Sequence, residues 1–289
     1  QHLEYLLDPF LNNAFMQRAL LAGVLVSISC AVVGTFVVLR GLAFIGDALA
    51  HGVLPGIAAA ILLGFSSILG AAIGALVMIG GVTLVQQRSR LSSDTAIGLL
   101  FVAMLALGVV MISASDAFQG DVTAILFGDI LGTSWQQLGI MAAATILVLV
   151  VAYFASRPFL LLSFDPEQAD VAGFSSKRYH LLMLLLVALT VVISFQTVGT
   201  LLVFGMLLAP AASAALLVSR INTMMIVASV IGAASTYAGL LISYWFDLAA
   251  GSTVVLTTVA VFFVVFAFTQ ARDSGAHVGR TDASGETVS

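Results

Sequence analysis

The sequence predicts an all-α integral membrane protein that crosses the bilayer several times, and three observations lead to this fold class. Hydrophobic residues make up 61% of the 289 residues and charged residues only 8%, whereas a soluble domain carries about 25% charged residues. The mean hydropathy is +1.16. The apolar runs are continuous rather than short and alternating, which predicts spanning helices and excludes a β-barrel.

The apolar runs divide into nine predicted spanning helices, within a range of eight to ten. A spanning helix needs about 20 mostly apolar residues. The predicted spans are, in chain order, 19–39, 43–63, 66–85, 96–113, 136–155, 179–197, 199–218, 222–244 and 252–269. The sixth and seventh form one long apolar block, which we divide at the polar residues Ser194, Gln196 and Thr197. The spans define a membrane domain over residues 19–269.

The two flanking segments have a different character. Residues 1–18 have apolar positions at roughly helical spacing, so they predict either a helix along the outer membrane interface or an extension of the first span. Residues 270–289 are polar and rich in Gly and Ser, which predicts a disordered cytoplasmic tail.

Basic residues set the predicted orientation of the chain. If nine helices alternate, nine of the ten Lys and Arg residues fall on one side, and Arg18 is the exception. By the positive-inside rule this side is cytoplasmic, with the N-terminus outside and the C-terminus inside. The opposite loops carry carboxylates and, after the first span, no basic residue, so they would attract a cation. These carboxylates are Asp116, Asp121, Asp129 and Asp247.

Asp47 and His51 form the most informative pair in the chain, because they lie four residues apart on one face of a predicted spanning helix. If the cytoplasmic boundary is near Arg40 and Gly41, His51 lies about 15 Å deep, near the middle of the hydrocarbon core. A hydrogen-bonded pair that only fixes helix packing is one interpretation. The other is a divalent-metal site, because a carboxylate and an imidazole together suit Mn²⁺, Fe²⁺ and Zn²⁺. Two ligands are too few, but a symmetric dimer would supply two Asp and two His.

Two prolines are candidates for a gate or hinge. Pro55 follows His51 by one turn, removes a backbone hydrogen bond and predicts a kink beside the pair. Pro210 precedes small residues at 211–215, so it is either a hinge or part of a closely packed helix contact, which we favour. Met206 on the same helix is more consistent with core packing than with a metal ligand.

The longest connection on the basic side predicts a short, well-capped helix. Asp165 is placed as its N-cap and Pro166 as its first residue, with Glu167 in the first turn. Gln168 is placed to reach back to the cap residue, and Gly173 is a candidate C-cap. The helix is either an ordinary loop element or a docking point for a cytoplasmic partner.

Three features of the sequence narrow the range of possible functions. No GxxxxGK[ST] phosphate loop is present, so ATP-driven transport would need a separate motor subunit, and we predict that the chain is not itself an enzyme. A net charge of −4 without a basic patch gives no sign of nucleic-acid binding. Cys30 is the only cysteine, which excludes an intramolecular disulfide.

Taken together, residues 14–269 resemble the permease subunit of bacterial manganese, iron and zinc ABC importers. The stretches that carry the resemblance are VGTFVVLRGLAFIGDALAHGVLPG (33–56), DTAIG (94–98), LFGDIL (126–131), SFDPEQADVAG (163–173), FQTVGTLLVFGMLLAPAASAALL (195–217) and GLLISYWFDLAAGSTVVL (239–256). The resemblance implies a permease like those of type II ABC importers, in the bacterial plasma membrane. It also implies a homodimer or heterodimer, two cytoplasmic ATPase subunits and an extracytoplasmic metal-binding protein.

The resemblance also implies roles for individual residues. Asp47 and His51 match the metal pathway, and 163–173 matches the loop that couples to the ATPase, with Asp165, Pro166, Glu167, Gln168, Ala169 and Gly173. The stretch His-x-x-Leu-Pro-Gly at 51–56 is more similar to manganese- and iron-type members. No permanently bound cofactor is implied.

We therefore expect the membrane subunit of an ATP-driven importer of Mn(II), with Fe(II) or Zn(II) as other possible cargo. One alternative is a self-sufficient secondary transporter that uses Asp47 and His51 as a proton relay. Another is a sensor or scaffold, which would tolerate loss of both residues.

Overall fold

The computed structural model describes residues 2–114, 127–199 and 203–283, and these ranges contain helices and connecting turns but no strand. The all-α fold class is thus confirmed. The helices are α1 His2–Asn12, α2 Ala14–Leu39, α3 Ala43–Gly52, α4 Leu54–Leu63, α5 Ser67–Arg88, α6 Ser93–Ser113, α7 Trp135–Phe154, α8 Ser156–Phe164, α9 Pro166–Val171, α10 Ser176–Val198, α11 Val203–Leu217, α12 Ile221–Phe246 and α13 Ala250–Ala283.

Eight helical segments in the described ranges are long and apolar enough to cross a membrane, with α3 and α4 together counting as one. This number lies within the predicted range of eight to ten. The predicted span at 199–218 corresponds to α11, which has 15 described residues and is shorter than the roughly 20 that a straight crossing needs. Residues 200–202 lie outside the described ranges, so nine crossings remain a prediction.

Helix α2 lies at the centre of the bundle and packs against α7, α10, α11 and α12. Buried hydroxyl groups join it to its neighbours: Ser27 contacts Thr236 of α12 at 3.1 Å, and Ser29 donates to Thr145 of α7 at 2.9 Å. A Cβ atom at Gly34 would overlap the Leu207 carbonyl of α11. Small residues and buried hydroxyl pairs are the usual means by which helices pack closely in a membrane.

One end of the bundle collects basic residues. Arg40, after α2, contacts His180 Nδ1 near the start of α10 at 3.0 Å. The end of α5 and the start of α10 enclose a cavity of about 370 Å³ that is lined by Gln86 and Lys177 among others. We call this the basic end; it agrees with the predicted sidedness, while the assignment to the cytoplasm remains a prediction.

At the opposite end, two of the predicted outer carboxylates lie in turns. Asp129 accepts a hydrogen bond from the Gly132 amide at 2.9 Å, and its own amide donates to Gln196 at the end of α10. Asp247 ends α12 in the left-handed conformation, with φ of 53°. Asp116 and Asp121 lie outside the described residues, so attraction of a cation by this end remains a prediction.

The two flanking segments adjoin the membrane domain in different ways. At Asn13 the backbone is extended, so α1 is a separate helix rather than an extension of the first span. The Tyr237 hydroxyl donates to the Leu6 carbonyl at 2.8 Å and holds α1 against α12. At the other terminus α13 continues to Ala283, past Gln270, where the predicted tail begins, and disorder of that tail remains a prediction.

Candidate metal site

The predicted kink beside the Asp47/His51 pair is present as a break in the helix. Helix α3 ends at Gly52, Val53 stands alone, and α4 begins at Leu54 with Pro55 in its first turn. Pro55 has no amide hydrogen to donate to the His51 carbonyl, and its ring would clash with that carbonyl in a straight helix. Whether the break acts as a gate remains a prediction.

Glycines of two neighbouring helices surround this break. A Cβ atom at Gly56 would overlap the Gly70 carbonyl of α5, and one at Gly70 would overlap the Gly56 carbonyl. On the other side, a Cβ at Gly108 of α6 would lie 3.1 Å from the Cβ of Leu54. The broken segment is therefore fixed by backbone contact with α5 and close contact with α6, which the sequence did not lead us to expect.

Asp47 and His51 are held together by a short contact along the helix. His51 Nδ1 lies 3.0 Å from the Asp47 backbone carbonyl and 3.4 Å from Asp47 Oδ1. A carbonyl oxygen can only accept, so a hydrogen bond at this contact places a hydrogen on Nδ1, and in that tautomer of an imidazole Nε2 is the nitrogen with a lone pair available to a metal ion. Phe101 of α6 meets the imidazole edge to face at 5.1 Å and limits its rotation.

The predicted pair is too small to complete a metal site within one protomer. Within the described ranges no group of three or more His, Cys, Asp and Glu side chains could hold a metal ion. The side chain of Asp47 is 31% exposed, and Phe44, one turn before it, is 50% exposed. The face of α3 that carries Asp47 is therefore partly open in the protomer, while the His51 side chain is only 13% exposed; a site shared between two copies would require such an opening.

The short helix on the basic end is capped much as the sequence predicts. Asp165 accepts from the amides of Glu167 at 2.9 Å and Gln168 at 3.4 Å, and Pro166 is the first residue of α9. The predicted reach-back of Gln168 is not made, because the Asp165 amide already donates to Leu161 at the end of α8. Gly173 has a φ of 89°, a left-handed conformation that favours glycine after a helix.

Ala169 is fully buried, whereas the other predicted coupling side chains of α9 are exposed. The exposed face of this helix is thus free to meet a partner, and the buried alanine fixes it to the bundle. The sequence does not reveal which positions are buried, because a helix of six residues has too few turns to show an apolar period.

Asp170 is a structural link that the sequence interpretation missed. Its two carboxylate oxygens accept from the Ser176 amide at 2.8 Å and the Ser176 hydroxyl at 2.9 Å. These bonds join α9 to the first residue of α10. They also hold the pKa of Asp170 below its ordinary value of 3.8, the backbone bond contributing most. In the sequence, the only sign of this link is that Asp170 lies six residues before Ser176, the serine that starts α10.

Asp170→Ala is expected to loosen the connection between α9 and α10. Because one hydrogen bond to the Ser176 amide is lost, this amide should exchange with deuterium roughly fivefold faster. Since the folded pKa of Asp170 is depressed, acid should lower the protection factor of this amide in the parent protein, once the pH dependence of intrinsic exchange is divided out. The stabilisation is complete above pH 3.8, the ordinary pKa of the carboxyl group. It is lost as the pH falls through the lower pKa that Asp170 has in the folded protein. Hydrogen exchange with mass spectrometry measures both effects.

Asp94→Ala is the matched control, because it removes one exposed carboxylate from the first turn of α6. Unchanged exchange at Ser176 in Asp170→Ala, or equal acceleration in the control, would contradict the capping role.

The residues singled out on α11 are packed in the core. The Met206 side chain is fully buried, and its sulfur accepts from the Thr258 hydroxyl at 3.6 Å. This agrees with the core-packing interpretation. Pro210 is buried within a continuous helix, next to Ala211, which would contact a Cβ added at Gly34. The close contact supports packing, and a hinge at Pro210 remains a prediction.

Comparison with known proteins gives consistent matches. The profile of the ABC 3 transport family matches residues 12–269. The "Manganese transport system membrane protein MntC" of Halalkalibacterium halodurans is 38% identical over 92% of this chain and 91% of its own. The "Probable iron transport system membrane protein" of Haemophilus influenzae is 39% identical over 93% and 98%. The solved structure "PsaBC from Streptococcus pneumoniae in complex with Fab" has a TM-score of 0.83 at 34% identity, covering 92% of this chain and 95% of the matched one.

Proposed function

The chain belongs to the ABC 3 transport family, and from this premise we propose that it is the membrane-spanning subunit of an ATP-driven importer of Mn(II). Relatives named for manganese transport support this metal. Fe(II) and Zn(II) are the other candidate ions, since one relative is named for iron and a carboxylate with an imidazole also suits zinc.

The observation that carries the proposal is the half-complete ligand set on the open face of α3. Two copies related by a two-fold axis would bring together two Asp47 carboxylates and two His51 imidazoles, enough for a four-coordinate site. Asp47 supplies negative charge in a region where a bare cation is costly. His51 offers Nε2 as a softer donor that favours transition metals over Ca²⁺ and Mg²⁺.

The same proposal assigns the partners. The basic end faces the cytoplasm, where α9 and its flanking residues 163–173 receive an ATPase subunit, and the Asp170–Ser176 link passes its movement to α10. The opposite end receives a metal-loaded binding protein. The N-terminus lies outside and the C-terminus inside the plasma membrane, and the transport cycle alternates access between the two sides.

Uptake of radiolabelled manganese into proteoliposomes tests this function. The vesicles contain the permease with its ATPase, ATP inside, and the loaded binding protein outside. We expect uptake that requires ATP, is lost with a hydrolysis-deficient ATPase, persists in the presence of a protonophore and continues despite excess zinc.

Two outcomes would contradict separate parts of the proposal. Uptake without the ATPase that a protonophore abolishes would identify a proton-coupled secondary transporter. If zinc stops manganese uptake and itself accumulates in the vesicles, the protein is still a metal importer, but the assignment of manganese as its metal is overturned.

A further inference from the structure

A groove of about 760 Å³ opens on the side of the bundle between α7 and α12, with α2 as its floor. We call it the α7/α12 groove. Its walls and floor are mostly apolar, and several of the wall residues are exposed. The residues that define it are Ile28 and Val32 on the floor, Leu149 and Tyr153 on α7, and Ile226 and Val230 on α12.

The length of the groove matches one leaflet of a bilayer. On α12 its lining runs from Asn222 to Val230, which at 1.5 Å per residue is about 12 Å. On α7 it runs from Leu149 to the adjoining Ser156, about 10 Å. Half of a hydrocarbon core is about 15 Å deep. A groove of this length suits an acyl chain of one leaflet.

The mouth of the groove is polar, and two arginines lie within two residues of it in the sequence. Ser156 and Asn222 line it at the basic end of the bundle. Their near neighbours in sequence, Arg157 and Arg220, are both exposed. Arg220 is the N-cap residue of the 26-residue helix α12, whose first-turn amides receive no side-chain cap. Exposed arginines close in sequence to the residues of the groove mouth, one of them at a helix N-terminus, would attract an anionic oxygen at the level of the lipid headgroups.

We propose that the α7/α12 groove binds an anionic phospholipid, with one acyl chain between α7 and α12 and the phosphate between Arg157 and Arg220. The apolar walls supply burial for the chain, and the two arginines supply selection by charge. This site is separate from the face of α3 that carries Asp47, which is the face that the proposed dimer requires. It does not depend on which metal is carried.

Native mass spectrometry of the permease–ATPase complex tests the proposal, with phosphatidylglycerol and phosphatidylcholine added in equal amounts. The parent complex is expected to retain phosphatidylglycerol preferentially. Arg157→Gln with Arg220→Gln should reduce this preference on the order of tenfold, since two charges near the headgroup are removed. Arg88→Gln with Arg90→Gln is the matched control, because it removes two exposed charges from the end of α5 and the turn after it.

A second variant separates chain burial from headgroup charge. Ser229→Phe places a large side chain in the groove, and we expect it to displace both lipids while the arginines remain. Equal phosphatidylglycerol binding by the arginine variant and the parent would overturn the headgroup assignment. Retention of both lipids by Ser229→Phe would overturn the groove as the site.

A contact between two copies is the competing occupant, and a cysteine at position 226 detects it. The native Cys30 is fully buried, so in Ile226→Cys the new thiol is the accessible one. We expect no disulfide-linked pair on oxidation in membranes. Efficient cross-linking would place a second copy over the groove and overturn the lipid proposal.

Discussion

Asp47→Ala is expected to reduce ATP-driven manganese uptake more than roughly 100-fold. Changes to residues that only support a metal ligand already cost about 10- to 100-fold in affinity, and this substitution removes a ligand itself. In the proposed dimer one change removes two of four donors and both negative charges. The remaining imidazoles would have to strip water from a divalent cation without a compensating charge, which is costly inside a membrane. The initial rate of radiolabelled manganese uptake into proteoliposomes is the measurement.

Asp94→Ala provides the matched control for this experiment as well, because it removes one exposed carboxylate from the start of α6 and leaves α3 unchanged. Equal reconstitution of the variants, checked by size-exclusion chromatography, separates loss of transport from loss of folding. Normal uptake by Asp47→Ala would show that the pair only fixes helix packing. Asp47→Asn keeps the size of the side chain and should also fail if charge is what the site requires.

Gly70→Ala is expected to lower the stability of the permease by roughly 1–3 kcal/mol, the range for adding atoms to a filled interior. The new methyl group would overlap the Gly56 carbonyl and lie 2.5 Å from the Ala60 Cβ. Helices α4 and α5 would have to separate just where the Pro55 break is fixed, so metal uptake should fall too. The thermal midpoint in detergent should drop by roughly 2–10 °C.

Gly80→Ala is the internal comparison, since Gly80 lies on the same helix and an added Cβ there meets nothing within 4 Å. It should match the parent or exceed it slightly, because alanine favours helix over glycine. If Gly70→Ala were as stable as Gly80→Ala, the close crossing of α4 and α5 would not be a determinant of the fold.

The parts of the site that could be predicted from the sequence are those fixed by local geometry. Asp47 and His51 share a face because they are four residues apart, and Pro55 breaks the helix because it lacks an amide hydrogen. Asp165 caps α9 for a similarly local reason. The composition and the length of the apolar runs were enough to predict the helical membrane fold.

The parts that could not be predicted depend on contacts between distant segments. Gly70 and Gly56 meet across two helices, Phe101 reaches His51 from α6, and Arg40 contacts His180 at a separation of 140 residues. None of these pairs leaves a periodic signal in the chain.

The proposed division of the metal site between two copies also has an evolutionary consequence. In a homodimer one gene encodes both halves of the site, so every inherited change at Asp47 or His51 appears twice in the assembled molecule. A homodimer therefore cannot evolve through a site with three ligands of one kind and one of another. Its preference among ions can change only when two ligands are replaced at once. Gene duplication removes this constraint, because two diverging copies can then vary each half of the site independently.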